Sequence, residues 1–561
     1  MIPLHSATTN KPKRPTSIAW QPTLTVGLLI VLLHSWQLGT PPLAGTEGHR
    51  ALTADQMVQS GNWLVPHLWD NVYLRKPPLQ YWLIASLQSI TGISNPWIWR
   101  IPAVLCTGLL AASLVAFASW LAGKKAGWCT GLAFACLLPL WGQSRSADID
   151  AANTCFAVIA ALGLLSLQHK TIHLKQTLVL MLIVFIGVAA TLMLKVHAGM
   201  PVILGAWVMP SCLDYKSSRK PWDWRLWLPL FIGVIPLLVW SYLVYQQFQD
   251  NVGQADTRGL TEMSNNVTGH MKDYLKALLL PMMLLAYALP VSLGLIVMQR
   301  WLKGVVDLTP QTRRLLRYLR STVILSVMVY LLAATHKPRY AYPVLPLLCP
   351  IMGIFLSQWL SLQQANKWQQ VTTKLVGVFL WMLVIGHVIL QGVLIHLNDH
   401  VTATGIIALS IAIIAGVSSE WHLRKSQFTG ALIGLAVVLA TLTVPIAQMR
   451  IHEQQRGGVI AAQSLIDLTR DRPQQIILAR KVAYDQPELF YYAGRQTSSL
   501  PPSLDVQTIL KGHAQCTLVL HPSEYELIQD ALEPYLIKQA QMPMHDRQLW
   551  VVWLDADAQH Y

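Results

Sequence analysis

Residues 77–92 read PPLQYWLIASLQSITG, and whether this stretch crosses a membrane decides the topology of everything after it. It opens on Pro77-Pro78 and carries Gln80, Ser86, Gln88 and Ser89 among its apolar residues. It is shorter than the roughly 20 apolar residues that a helical crossing needs. Counting it as a crossing would invert every later loop and put the chain's basic clusters outside. The segment therefore reads as a helix lying at the outer interface. Residues 47–60 read the same way, with Ala51, Ala54, Met57 and Val58 on one face at helical spacing.

Composition supports the membrane assignment on both sides of this segment. Of the 561 residues, 53% are hydrophobic and only 12% charged, against about 25% charged in soluble domains. That excludes an ordinary cytosolic globule, a disordered chain and a secreted disulfide scaffold. The net charge of +15 fits a polytopic protein whose basic residues set orientation and meet anionic head groups, and no nucleic acid is implied.

Apolar runs predict about thirteen transmembrane helices. The first runs from Ile18 to about Trp36, with Lys11, Lys13 and Arg14 on its cytoplasmic flank. The others lie near 101–122, 126–143, 150–168, 176–194, 199–213, 226–247, 277–298, 321–335, 341–360, 372–395, 403–418 and 428–447. Loops on the inner side then hold Lys124 and Lys125, Lys170 and Lys175, Lys216 to Arg225, Arg300 to Arg320, Lys367, and Arg424 with Lys425. This is the positive-inside pattern of a multi-pass membrane protein. The N-terminus is then cytoplasmic and residues 451–561 are periplasmic. Those last residues alternate β-rich runs (475–478, 516–520, 549–554) with helical patterns (458–470, 487–495, 524–532), which predicts a small α/β domain after a membrane domain at 1–450. Six of the seven cysteines lie in or beside apolar runs, and Cys516 is alone in the polar part. No Cys/His spacing suggests a structural zinc site.

Ionisable residues gather at the outer edge. The first outer loop, within 37–100, carries Glu47, His49, Arg50, Arg75 and Lys76. The next carries Arg145, Asp148 and Asp150; Lys195 and His197 lie between two further spans; His336, Lys337, Arg339, Tyr340 and Tyr342 lie between two more. Cations from four loops, with carboxylates from two, suit an anionic lipid head group beside a proton acceptor. Each also has a plainer reading: Glu47 and Asp150 as first-turn helix acids, Lys76 and Lys195 as snorkelling anchors, and Asp148 as a solvated neighbour. His197 and His336 read as ordinary interfacial histidines.

The order of these residues resembles a family. Glu47-x9-Met57-x3-Gly61-Asn62-Trp63-Leu64-Val65-Pro66, followed by Lys76-Pro77-Pro78-Leu79-Gln80-Tyr81-Trp82-Leu83, is similar to the first outer loop of the protein O-mannosyltransferase and aminoarabinose (L-Ara4N) lipid A transferase superfamily. Arg145-x4-Asp150, Lys195 after an apolar helix, Arg339-Tyr340-x2-Pro343 and residues 487–495 (PELFYYAGR) resemble later motifs of the bacterial transferases of this type. The resemblance implies a GT-C fold, an undecaprenyl-phosphate sugar as donor and an envelope acceptor. Lipid A with an aminoarabinose-like sugar is the leading expectation. Another envelope-glycan or protein O-glycosyltransferase is the first alternative, and a catalytically impaired lipid-binding relative the second. A solute transporter fits poorly, because its ionisable residues would sit near the midplane.

The same resemblance implies site roles. Glu47 and Asp150 are the expected catalytic carboxylates. Arg75, Lys76, Lys195, Arg258 and Arg339 are the expected donor-phosphate ligands. Asp148, Arg145, Tyr340 and Tyr342 are further candidates, and the loop at 248–276 closes over the donor. Thr46 stands where the family usually has Asp. Arg75 stands where it commonly has a Glu thought to help bind a metal. No cofactor is then required, and a divalent metal is disfavoured by the cation that replaces a carboxylate.

Overall fold

The computed structural model describes residues 18–43, 45–68, 71–169, 172–216, 218–247, 278–288, 292, 308–332, 338–360, 367–398, 402–425, 427–454, 458–470, 475–478, 482, 488–493, 497–499, 506–512, 514–544 and 547–556. Arg258, His336, Lys337 and the loop at 248–276 lie outside them, as does the side chain of His197.

Among the described residues, eight helical stretches are long and apolar enough to cross a membrane: Pro96–Ala122, Asp150–Leu167, Leu174–Lys195, Trp224–Gln247, Pro310–Leu332, Arg339–Trp359, Gly377–His396 and Ala403–Arg424. Trp20–Ser35, Ala198–Leu213 and Ile433–Ile446 are shorter apolar helices. Several helices turn bare leucines outward, such as Leu24, Leu28 and Leu32 on the first. In water that face would be unfavourable; in lipid it is the expected surface. The chain is a multi-pass membrane protein.

Helix α1 (Trp20–Ser35) packs on α4 (Pro96–Ala122). Between them, α2 (Glu47–Ser60), a short hairpin of β1 (His67–Leu68) and β2 (Asn71–Val72), and α3 (Leu79–Thr91) build a cap. Gly61 and Gly92, at φ 69° and 67°, end α2 and α3 in the left-handed conformation that glycine adopts without a Cβ penalty. Ala51, Ala54 and Met57 are buried, as the face-pattern requires.

The polar residues of 77–92 are anchors. Gln80 Nε2 donates to the Ala147 carbonyl (2.9 Å), Gln88 Nε2 to Asp55 Oδ1 (2.5 Å), and Trp99 Nε1 to Gln88 Oε1 (3.1 Å). At 13 residues, α3 reaches about 20 Å at 1.5 Å per residue, well short of the hydrocarbon thickness.

Helix α4 starts five residues before the expected 101, because Asn95 caps it by accepting from the Ile98 N–H and Pro96 fits its first turn. The run at 126–143 breaks at Leu137 into α5 (Lys124–Ala135) and α6 (Leu138–Ser144). Helix α7 (Asp150–Leu167) is buried along most of its length, and it packs most closely against α8 (Leu174–Leu213). Small residues allow this: a Cβ on Gly163 would meet Val184 Cγ2 at 2.7 Å, and one on Gly187 would meet the Phe156 carbonyl at 2.8 Å. The two spans expected at 176–194 and 199–213 are halves of α8, which kinks at Lys195 (φ −164°, ψ 90°). There Asn153 Nδ2 inserts, donating to the carbonyls of Thr191 (3.3 Å) and Lys195 (3.1 Å).

The expected 226–247 span is α9 (Trp224–Ile232) followed by α10 (Ile235–Gln247). Of the span at 277–298, α11 (Leu280–Tyr287) is described. Helix α12 (Pro310–Leu332) begins well before the expected 321, so Arg313, Arg314, Arg317 and Arg320 lie on its first turns rather than in a loop. A 3-10 helix (Pro338–Leu347) leads into α13 (Leu348–Trp359), and α14 (Lys367–Asn398), α15 (Ala403–Arg424) and α16 (Phe428–Gln454) follow.

The C-terminal part is a five-stranded sheet. Its strands are β3 (Gln475–Leu478), β4 (Thr497–Ser499), β5 (Gln515–Leu520), β6 (Leu536–Met544) and β7 (Arg547–Asp555), in the order β4-β3-β5-β7-β6. The first three are mutually parallel, while β7 runs antiparallel to both β5 and β6. Alternate residues feed two cores. Val519, Val551 and Trp553 face α17 (Ile460–Leu468) and α18 (Glu488–Ala493); Leu518, Leu520, Val552 and Leu554 face α19 (Val506–Gly512) and α20 (Pro522–Leu532). Helix α18 docks on the cap: the Leu43 N–H donates to the Tyr492 hydroxyl (2.5 Å), and the rings of Trp99 and Tyr491 meet edge-on at 5.1 Å.

Candidate active site

Two loops and a kink converge under the cap. The turn before α2 places Thr46, the turn before α7 places Asp148, and the break in α8 turns Lys195 toward them. Thr46 Oγ1 donates to Asp148 Oδ2 (2.5 Å), and the Ile149 N–H donates to Asp148 Oδ1 (2.8 Å). Arg50 Nε lies 3.6 Å from Asp148 Oδ1, and Arg339 Nη1 lies 3.8 Å from Oδ2. Burial alone would raise the Asp148 pKa, but Arg50, Lys195 and the Thr46 hydrogen bond overcome it and hold the carboxyl down at about 2. Asp148 is thus an anion throughout the physiological range.

A cleft of about 470 Å³, part of it open to solvent, is lined by Thr46, His49, Arg50, Tyr73, Arg75, Lys76, Asp148, Ile149, Lys195, Arg339 and Tyr340. Arg50 forms its floor. Its Nη1 donates to the hydroxyls of Tyr81 (2.9 Å) and Tyr73 (3.3 Å). Burial disfavours its charge, but these partners and Asp148 outweigh that and raise its pKa. Arg75 stands 5.8 Å from the Tyr73 ring centre and Lys195 4.1 Å from that of Tyr340. Aromatic faces therefore help hold like charges together.

Lys195 Nζ donates to Asp150 Oδ1 at 2.7 Å, and Arg339 Nε lies 4.0 Å from Asp150 Oδ2. Asp150 is therefore engaged behind the cleft wall, holding two cations of the lining, and is itself absent from that lining. Arg145 is also outside it: Nη1 and Nη2 donate to the carbonyls of His34 (3.0 Å) and Gln37 (3.3 Å), tying its turn to the end of α1. Tyr342 packs edge-on against Tyr287 at 5.9 Å, again outside the lining.

Glu47 is buried beside the cleft and is not part of its lining. Its Oε1 accepts from Arg100 Nε (2.6 Å) and the Ala147 N–H (2.8 Å), and its Oε2 from Arg100 Nη2 (2.9 Å). Arg100 Nη1 donates to the carbonyls of Leu38 (2.7 Å) and Pro41 (2.8 Å), and Nη2 to that of Pro42 (3.1 Å). All five guanidinium N–H groups are used. Glu47 thereby ties α2 to the residue immediately before Asp148. Sequence reasoning passed over Arg100. The available signal was a lone Arg near the start of an apolar span, which needs a partner when it faces protein rather than lipid.

Among the described residues there is no group of three or more His, Cys, Asp or Glu able to hold a metal ion. Asp148, the one carboxylate of the lining among the described residues, is already surrounded by Arg50, Arg339 and the Thr46 hydroxyl.

Comparison with known proteins agrees with this architecture. The chain aligns with the undecaprenyl phosphate-alpha-4-amino-4-deoxy-L-arabinose arabinosyl transferase of Pseudomonas savastanoi pv. phaseolicola at 27% identity, over 36% of its own length and 38% of the relative's. A second such transferase, from Pseudomonas fluorescens, matches at 26% over 41% and 42%. The alignments thus span about two fifths of these curated relatives. No family model matches. The crystal structure of ArnT from Cupriavidus metallidurans bound to undecaprenyl phosphate superposes with a TM-score of 0.67 at 14% identity, covering 96% of this chain and 99% of that one. Its apo form gives 0.68 at 16% identity, over 97% and 99%. The chain has the GT-C fold. The cleft between the cap and the membrane helices gathers residues from the first outer loop, the turn before α7, the kink of α8 and the 3-10 helix.

Proposed function

We propose that this chain is a glycosyltransferase that moves a sugar from undecaprenyl phosphate to an acceptor at the outer face of the bacterial inner membrane. The observation that carries the proposal is the convergence of Arg50, Arg75, Lys76, Lys195 and Arg339 on one ionised carboxylate, Asp148, in a GT-C fold. The resemblance to the aminoarabinose transferases supports lipid A as the first acceptor to test, ahead of another envelope glycan or a protein. The topology proposed with it has thirteen crossings, a cytoplasmic N-terminus, a membrane domain at 1–450 and a periplasmic domain at 451–561.

The reaction breaks the bond between the anomeric carbon and the phosphate oxygen. Negative charge grows on the departing undecaprenyl phosphate, and fixed cations stabilise that charge more in the transition state than in the substrate. Lys76 and Lys195 serve as point charges, while Arg75 and Arg339 offer planar two-pronged donors. Arg258 joins this set as a proposal from the sequence alone. Asp148 accepts a hydrogen bond from the acceptor hydroxyl and orients it for attack on the anomeric carbon opposite the leaving group, which inverts that centre; the new carbon–oxygen bond replaces the one to phosphate, and the hydroxyl proton leaves with the departing undecaprenyl phosphate. Glu47 and Asp150 are positioning residues in this scheme, acting through Ala147 and Lys195. Arg75 takes the place of a metal's charge, so turnover needs no added divalent ion.

The test is acceptor-dependent release of undecaprenyl phosphate. Purified protein is incubated with undecaprenyl-phosphate sugars from an envelope extract, with and without lipid A, and the free carrier is followed by mass spectrometry. Release that depends on acceptor is expected, and the mass of the product identifies the sugar. Tight binding of the carrier lipid without release would overturn the proposal in favour of a lipid-binding role.

A further inference from the structure

Helix α12 carries arginines on its outward face, inside a membrane span. Arg313, Arg317 and Arg320 are exposed and stand at i, i+4 and i+7, so they share one stripe. The same stripe continues into Ile324 and Met328, which are 56% and 53% exposed. It changes from cationic to apolar along its length while staying outside the bundle. The other face of α12 packs on α8: Ser326 Oγ donates to the Pro201 carbonyl (3.1 Å), and a Cβ on Gly205 would meet Thr322 Cγ2 at 3.2 Å.

Neighbouring segments fix the level of these arginines. Arg314 Nε lies 3.4 Å from Asp214 Oδ2 at the end of α8, and the Tyr318 hydroxyl donates to the same oxygen at 3.4 Å. Asp214 opens a loop with exposed Tyr215, Trp222 and Trp224, an aromatic belt of the kind that marks the edge of the hydrocarbon. Arg317 and Arg320 lie about one and two turns to the apolar side of Arg314. An exposed guanidinium at that depth is costly in hydrocarbon and is relieved by a lipid phosphate drawn down to it. Thr312 Oγ1 donates to the Leu121 carbonyl (3.0 Å), which sets the exposed Lys124 and Lys125 near the same end. Among the described residues of these segments the carboxylates are Asp214, met by Arg314 and Tyr318, and Asp223, met by Arg219 Nη1 at 3.3 Å. The half of α8 from Ala198 to Leu213 separates this end from the kink at Lys195. It is about 24 Å long at 1.5 Å per residue, so the stripe starts at the membrane face opposite the cleft.

We propose that Arg313 and Arg317, with Ile324 and Met328 beyond them, seat an anionic phospholipid of the leaflet opposite the cleft. The phosphate meets two guanidinium groups, each a planar pair of donors, and an acyl chain lies along the apolar part of the stripe. The positive end of the α12 dipole adds to the attraction. Arg314 is held by Asp214, and the site rests on Arg313 and Arg317. The inference goes beyond the transferase reading and stands apart from it.

The test is native mass spectrometry of the full-length protein in micelles at constant ionic strength. The probes are phosphatidylglycerol and phosphatidylcholine with the same acyl chains. Wild type should bind phosphatidylglycerol more tightly by about ten-fold or more. Arg313→Gln with Arg317→Gln should lose about 30-fold in phosphatidylglycerol affinity, the effect of two cations near a lipid surface, and keep its phosphatidylcholine affinity. Arg317→Gln alone should lose about five-fold. Lys374→Gln with Lys425→Gln removes exposed cations from α14 and the end of α15 and should change neither affinity. Melting temperatures in phosphatidylcholine establish that each variant is folded. Equal affinity of wild type for the two lipids would overturn the proposal. So would an unchanged phosphatidylglycerol affinity in Arg317→Gln, which decides the matter even where the double variant does not fold. An equal loss in the lysine variant would reduce the stripe to unspecific charge and overturn the site. Displacement of the lipid by inorganic phosphate would overturn the lipid as the source of the phosphate.

Discussion

Replacing Arg100 with Met tests the frame that holds Asp148. The substitution keeps an apolar side chain of similar reach and removes all five donors at once. Glu47 is then left buried with the Ala147 N–H as its remaining neighbour from this cluster, and the Leu38, Pro41 and Pro42 carbonyls lose a charged donor. Breaking a buried ion pair from one side costs about 3–5 kcal/mol, chiefly through the uncompensated charge. At about 2–4 °C per kcal/mol for domains of moderate size, the melting temperature in micelles should fall by roughly 10 °C. The double substitution Glu47→Leu with Arg100→Met removes both charges, so it should recover most of that loss. It also removes the tie from Glu47 to the Ala147 N–H, so turnover should stay low after stability returns. Thermal unfolding followed by intrinsic fluorescence, together with the carrier-release assay, checks both halves. A melting temperature within a degree of wild type in Arg100→Met would refute the reasoning. A double variant no more stable than the single would refute the claim that buried charge is the cause.

Four further outcomes are expected. Asp148→Asn should lower turnover by about 10²-fold or more, the range for losing the orientation of a reacting group, with donor affinity retained; equal losses in both would assign Asp148 to binding instead. Because the folded-state pKa of Asp148 is depressed to about 2, its stabilising charge is present above its unfolded value near 3.8 and is lost only as pH falls through about 2. Turnover should therefore show no acidic limb from this group between pH 8 and pH 5, and a limb there that disappears in Asp148→Asn would contradict the assignment. Glu488 behaves oppositely: burial, reinforced by the nearby Glu47, pushes it up to about 8. Its proton is kept in the folded state while the unfolded chain loses it above about 4.5, so stability falls as pH rises to about 8, by at most about 1.4 kcal/mol per pH unit. Glu488→Gln should raise the melting temperature at pH 8.5 and leave it unchanged at pH 5; an equal shift at both would exclude titration as the cause. Chelation by EDTA should leave carrier release unchanged, whereas loss restored by one divalent ion would return a metal to the mechanism.

Much of this architecture is written locally. Apolar runs, basic loop residues and the Pro-Pro opening of 77–92 are properties of neighbouring residues, and they suffice for the membrane helices and the short cap helix. The strand runs at 475–478, 516–520 and 549–554 are legible in the same way. Strand β6 is not: Lys538, Gln539 and Gln541 are exposed, and they read as loop until β7 pairs with them. Helix ends also escaped, because caps such as Asn95 and the arginine-bearing first turns of α12 lie outside the apolar pattern that marks a span.

Sequence by itself determined which residue types reach the outer edge: cations from four loops and carboxylates from two. Only the tertiary structure decided their partners, because those depend on distances between segments about 50 to 300 residues apart. Glu47 and Asp148 are alike as acidic residues at helix starts. What separates them is that Arg100, 53 positions along the chain, takes both oxygens of Glu47. Asp148 instead meets Thr46, Arg50 and Arg339 at the open face of the cleft. A carboxylate already saturated by a bidentate arginine holds a frame, and one facing space and cations is placed to meet a substrate.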